Sequence, residues 1–137
     1  KKKNNEISGD ILVFNSKLKP IRASKKYYVN STDEYPILFI IAALTKGISI
    51  FEGIKDLANK ESNRITEMQN VLSQIGIKSI SLKDKLKIYG KGLFNASNKK
   101  INVSNLGDHR ICMSSFILSV LLISDYNYNF NELQFWL

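Results

Sequence analysis

The stretch "DEYPILFIIAALTKG", residues 33–47, decides the fold. Asp33 can cap a helix start, which puts Pro36 in the first turn, where its missing N–H is harmless. Gly47, directly after Lys46, supplies the stop. Between these signals the segment is apolar on nearly every side, the mark of a buried helix. The run "ICMSSFILSVLLI" at 111–123 has the same character. It is too short to span a bilayer, and Asp108, His109 and Arg110 crowd its start, so it reads as a core helix from about Asp108 to Ser124.

The strands read the other way round. "KSISL" (78–82) and "KLKIYG" (85–90) alternate polar and apolar residues about a turn at Lys83 and Asp84, as a half-exposed hairpin does. In most α/β domains the helices are amphipathic and the strands apolar. The reversal points to an α/β (α+β) architecture with helices inside and sheets outside; a common α+β sandwich is the alternative that periodicity leaves open. Further strands are expected at 10–14, 19–23, 26–30, 48–53 and 101–105, and a helix from about Lys60 to Ile75 closed by Gly76. "YVNSTDE" and "INVSNLGDHR" both lead from a strand through a polar turn into a buried helix, a faint repeat of strand–helix units. The tail "YNYNFNELQFWL" gives no firm reading.

A length of 137 residues suits one domain or a piece of one, and 44% hydrophobic with 23% charged residues excludes a disordered tail. The net charge of +8 favours an anionic partner. Nucleic acid is not favoured, because neither aromatic–basic interleaving nor a helix-turn-helix pattern is present. Cys112 is the one cysteine, so there is no disulfide framework and no cysteine-based metal site; it reads as a small buried hydrophobe. A reducing, cytoplasmic setting fits. "KKKNN" opens the chain without an initiator Met and without a signal-length apolar run, so a non-secreted piece of something longer is expected.

Three charged clusters sit at expected helix starts: Asp33 with Glu34, Lys60 with Glu61 and Arg64, and Asp108 with His109 and Arg110. Helix starts favour anions, and arginine forks fit carboxylate and phosphate. Ordinary caps would explain the acids. They would not explain Arg64 and Arg110, whose charges oppose the helix dipole. Glu61 lies in line with Ile65, Met68 and Leu72, so it is expected to cap an apolar seam. Partial desolvation would then raise its pKa against the pull of the neighbouring bases, which suits a proton carrier. No metal cluster can be assembled from a single His and a single Cys, and no phosphate-cradling glycine loop occurs.

"GDILVFNSKLKPI", "DEYPILFIIAALTKG", "NKESNRI" and "GDHRICM", in this order and at these separations, resemble the later part of the 5-enolpyruvylshikimate-3-phosphate synthase family. The resemblance covers about residues 8–120 and is nearest the glyphosate-insensitive bacterial type. The sister enzyme acting on UDP-N-acetylglucosamine shares the fold without this pairing of motifs. The resemblance implies a partial inside-out α/β domain, with residues 1–137 a single partial domain of a two-domain enzyme. It implies transfer of the enolpyruvyl group of phosphoenolpyruvate to the 5-hydroxyl of shikimate 3-phosphate, through a tetrahedral ketal phosphate and without cofactor or metal. Asp33 would hold the shikimate hydroxyls and help take the proton, and Glu61 would carry the proton at the methylene carbon. Lys60 would meet the shikimate ligand, Arg64 and Arg110 would clamp phosphoenolpyruvate, and His109 would share their site.

The departures are specific. The family pattern has arginine where Ala58 stands, aspartate where Asn63 stands and alanine where Cys112 stands. Its other domain supplies a lysine, serines, arginines and a glutamine that have no counterpart here, and a lysine of a "K-[ST]-F-P"-like motif is missing from "NYNFNELQFWL". The chain alone is therefore expected not to turn over, unless a missing domain or a second chain completes the cleft. A non-catalytic remnant or binding module for small anions or nucleic acid is the competing expectation.

Overall fold

Tyr35–Ala43 forms the helix on which the other elements assemble. The structure, a computed structural model, describes residues 2–3, 6–7, 9–14, 16–94, 101–104 and 107–122. In chain order the elements are β1 (Lys2–Lys3), β2 (Glu6–Ile7), β3 (Arg22–Ala23), α1 (Lys25–Tyr28), α2 (Tyr35–Ala43), β4 (Gly47–Glu52), α3 (Arg64–Gln74), β5 (Lys78–Leu82), β6 (Lys85–Gly90) and α4 (His109–Leu122). Single 3-10 turns at Thr32–Glu34 and Lys55–Asn59 lead toward α2 and α3.

β1 and β2 form a small hairpin, while the main sheet has the order β3-β4-β6-β5, with β3 parallel to β4 and the other pairs antiparallel. Alternation along β4 and β6 turns Ser49, Phe51, Leu86 and Ile88 inward, all fully buried. The Ser49 hydroxyl accepts from the Ile21 N–H at 3.0 Å, so this polar group in the core is satisfied. α2 and α3 pack on the sheet, and α4 packs on α2 and α3. Tyr28, Tyr35, Phe39 and Phe51 meet edge to face, the Phe39–Phe51 centroids 4.8 Å apart. α3 ends as its glycine predicts: Gly76 takes a φ of +76°, and the Ile77 N–H reaches back to the Leu72 carbonyl at 2.9 Å.

The mixed sheet with its helices agrees with the expected α/β class. The hairpin at 78–90 forms with its turn at Lys83 and Asp84. Other elements differ. Residues 26–28 of the expected strand 26–30 belong instead to the one-turn helix α1, which buries Tyr28 against Tyr35 and leaves Tyr27 exposed. Residues 10–14 form no strand, and Ile11, Leu12, Val13 and Phe14 are 79–89% exposed, with no partner strand among the described residues. The strand at 19–23 shrinks to Arg22–Ala23, and 101–104 carries none, while residue 105 lies outside the described residues. α2 stops at Ala43, and Gly47 opens β4 instead of closing the helix. α4 is only half covered: Ile111, Leu118 and Leu122 are buried, but Met113, Ile117 and Leu121 are 64%, 41% and 49% exposed. The expected end of α4 at Ser124 and the tail at 126–137 lie outside the described residues.

The tightest approach in the fold is between β6 and the end of α2. A Cβ on Gly90 would overlap the carbonyl oxygens of Thr45 and Ala42, and the next residue, Lys91, donates its N–H to the Ala43 carbonyl at 3.1 Å. Gly90→Ala is therefore expected to cost about 1–3 kcal/mol through forced separation of helix and sheet, read as a lower denaturant midpoint.

Candidate active site

The segment before α3 builds the site. Asn63 is the N-cap, its side-chain oxygen accepting from the Thr66 N–H at 3.1 Å. Asparagine caps as well as aspartate, which accounts for the tolerated departure at this position. α3 then begins at Arg64 and not near Lys60, so Lys60 and Glu61 precede the helix. This corrects two expectations. Glu61 is not on the apolar stripe: its side chain is 54% exposed, and the burial expected of a capped seam is absent. Lys60 does not open the helix expected from it to Ile75; it pairs with Asp56 at 3.0 Å. Asp56 raises the Lys60 pKa, Lys60 lowers that of Asp56, and burial followed by the Asp56 charge raises that of Tyr28, whose hydroxyl donates to Asp56 at 3.2 Å.

The residue that turns inward is Arg64, 1% exposed. Its Nε donates to Asp108 Oδ2 at 3.0 Å, its Nη1 to Asp33 Oδ1 at 3.2 Å and its Nη2 to Glu61 Oε2 at 2.6 Å. Asp108 is fully buried and takes two further donors, the Ser62 hydroxyl at 2.7 Å and the Arg110 N–H at 3.1 Å. Its carbonyl also accepts from the Ile111 and Cys112 N–H groups, each at 3.1 Å, so Asp108 starts α4 and holds Arg64 at once. Arg110 closes the circuit by donating from Nη2 to Asp33 Oδ2 at 3.1 Å. The tips ahead of α2, α3 and α4, between 31 and 77 residues apart in sequence, thus share one ion network.

Burial alone would raise the Asp108 pKa, but the Arg64 and Ser62 hydrogen bonds and the Arg64 charge overcome it and leave the carboxyl below its ordinary value. Arg64 is raised above its already high value, burial being outweighed by its carboxylate partners. Beside the network lies a shallow hollow of about 200 Å³ between α2 and α4, lined by Asp33, Glu34, Ile37, Arg110, Met113 and Ile117 among others.

Asp33, Glu61, Arg64 and Arg110 are therefore brought together, while Lys60 is tied to Asp56 and His109 is exposed at the first position of α4. Asp33 is not a helix cap; a 3-10 turn carries it to the arginines. The sequence reading missed Asp108 and Ser62 as network members. The available signal was an acid directly ahead of a buried helix, which reads as a cap and gives no hint of its partner 44 residues away. Among the described residues no group of three or more His, Cys, Asp or Glu side chains is placed to hold a metal ion. No helix among them is long and apolar enough to cross a membrane.

The family described as EPSP synthase (3-phosphoshikimate 1-carboxyvinyltransferase) matches residues 6–127. The 3-phosphoshikimate 1-carboxyvinyltransferase of Clostridium tetani is 38% identical over 125 residues, covering 91% of this chain and 28% of the relative. That of Ruthia magnifica is 40% identical over 115 residues, covering 84% and 26%. A solved EPSP synthase from Acinetobacter baumannii superposes with a TM-score of 0.64 at 32% identity, covering 78% of this chain and 24% of that one. The chain belongs to the EPSP synthase family, and it spans about a quarter of the length of the curated relatives it matches.

Asp108 is the fully buried partner of Arg64, while Asp33 and Glu61 are half exposed, so Asp108→Asn is expected to cost about 3 kcal/mol at neutral pH. The folded pKa of Asp108 lies below the unfolded one, so its contribution is complete above the unfolded value, near 3.9, and fades as pH falls through the folded value. Chemical denaturation across this range should show the wild type and Asp108→Asn converging at low pH.

Proposed function

We propose that this chain is the part of an enolpyruvyl transferase that carries the proton-transfer carboxylates and two arginines of the site, corresponding to the later portion of the longer relatives. The observation that carries this reading is the single network joining Asp33, Glu61, Arg64 and Arg110, two of which, Asp33 and Arg110, line a hollow. In this reading the 5-hydroxyl of shikimate 3-phosphate attacks C2 of phosphoenolpyruvate, Asp33 takes the hydroxyl proton and Glu61 protonates the methylene carbon. Glu61 then removes a proton from the resulting methyl group as phosphate leaves the ketal. Glu61 and Asp33 are placed for these roles because both carboxylates are half exposed and oriented by an arginine, and Glu61 carries a proton on leaving Arg64. Arg110, 39% exposed, faces the hollow and can clamp phosphoenolpyruvate directly, with His109 beside it. Arg64 clamps only after Asp33 or Glu61 has moved off its buried guanidinium. Lys60 reaches the shikimate ligand on leaving Asp56. The likeness of the "SKLK" and "DEYPIL" stretches to the glyphosate-insensitive bacterial type supports placing the whole enzyme there, and the single cysteine fits a reducing, cytoplasmic setting.

Charge bookkeeping supports the view that this chain is incomplete as a catalyst. Arg64 and Arg110 face Asp33, Glu61 and Asp108, two cations against three carboxylates, an excess of one negative charge where two anionic substrates must meet. The uncovered apolar side of α4, at Met113, Ile117 and Leu121, supports the inside-out reading, since in a longer chain it would be a packing face.

The isolated chain is expected to release no phosphate from the two substrates in a coupled assay; normal turnover would overturn the claim of incompleteness. Residues 8–120 grafted in place of the matching part of the Acinetobacter baumannii enzyme should restore turnover. Glu61→Gln in that graft should lower kcat by about 10²–10⁴-fold. A folded graft that binds substrates but is indifferent to Glu61→Gln would reject the assigned role.

A further inference from the structure

The outer face of the sheet, away from the core and from the ion network, has its own pattern. The strand registers set Ile48 beside Tyr89 and Lys78, and Ile50 between Arg22 and Lys87, with Ile80 beyond. A third row holds Glu52, Lys85 and Leu82. Ile48 and Leu82 are 47% and 51% exposed, so apolar surface is left in water at two corners of the face. Among these positions Glu52 is the one acid, and Lys85 takes it at 2.7 Å. That leaves Arg22, Lys78 and Lys87 as unbalanced positive charge among apolar side chains. Neighbours within a row stand about 4.8 Å apart across the strands and successive rows about 7 Å apart along them, so basic and apolar groups reach the same ligand.

We propose that this outer sheet face docks an acidic segment of a partner protein in which carboxylates alternate with apolar side chains. The charge sets the sign of the partner, and the half-exposed Ile48 and Leu82 require it to bring apolar area as well. A second copy of this chain does not fit, since a two-fold pairing would bring the basic set Arg22, Lys78 and Lys87 against the same set in a protein of net charge +8. Single-stranded nucleic acid stacks on open aromatic faces, and the one ring of these rows, Tyr89, is covered by Lys78 at 5.3 Å from its centroid. The inference is independent of the transferase reading.

The test titrates the full chain with a synthetic peptide alternating glutamate and leucine, against a control peptide with serine in place of leucine. Saturable binding of the first, much weaker binding of the second and amide shifts confined to β3, β4, β5 and β6 are expected. Lys78→Glu with Lys87→Glu should weaken binding by at least about tenfold, and Leu82→Ser should weaken it without changing its salt dependence. Lys78→Gln with Lys87→Gln repeats the test if charge reversal disturbs folding, judged by an unchanged circular dichroism spectrum. Equal binding of both peptides, indifference to these substitutions, or a preference for phosphatidylserine vesicles or oligothymidylate at matched charge would each overturn the proposal. So would a dimer mapped to this face by sedimentation and amide shifts.

Discussion

A single guanidinium, that of Arg64, holds the candidate site together. It is almost without solvent exposure, and it meets carboxylates from the turn before α2, from the loop before α3 and from the residue before α4. A buried cation is costly unless its donors are matched, and here three of its nitrogens each have an acid. The consequence is geometric. Three helix tips that could pivot separately about a purely apolar core are held in one register, because moving any of them strips a partner from a desolvated charge. Asp108 reinforces this by bonding Ser62 and the Arg110 backbone with the carboxylate that also holds Arg64.

The same network explains why arginines appear where the helix dipole disfavours them. Near the starts of α3 and α4 the cost of opposing the dipole is within about 2 kcal/mol even where water is partly excluded, and charge-assisted hydrogen bonds to Asp33, Glu61 and Asp108 exceed it. The exposed Arg110–Asp33 pair adds little by itself, but it sets the orientation of Arg110 toward the hollow. Orientation by carboxylates also uses up positive charge, and this network ends with acids in excess. A basic chain can therefore carry a site that is not basic.

Much of this was legible in the sequence because it is local. The all-round apolarity of the segment after Asp33, the glycine after α3 and the alternation of the 78–90 hairpin each act within one element, and each element formed, although α2 ends at Ala43 ahead of the stop expected at Gly47. The convergence of Asp33, Glu61, Arg64 and Arg110 was legible through motif resemblance and the oddity of the arginines, not through periodicity. What failed was context. Tyr27, Tyr28 and Val29 have strand propensity, yet burying Tyr28 alone against Tyr35 favours one helical turn. Glu61 matched the spacing of Ile65, Met68 and Leu72, but the Asn63 cap starts α3 after it, so the spacing carried no facial meaning. Asp108 was invisible as a partner of Arg64 because pairing over 44 residues leaves no trace in local pattern.

The bare run from Ile11 to Phe14 bears on how the molecule behaves in bulk. Four consecutive side chains at 79–89% exposure form an adhesive tract that folding has not withdrawn from water. Mutual repulsion from a charge of +8 opposes contact between such tracts, and that repulsion weakens as the Debye length shortens to about 3 Å at molar salt. Colloidal stability in this chain is therefore electrostatic, and concentrated electrolyte promotes coagulation while every element of the fold stays intact.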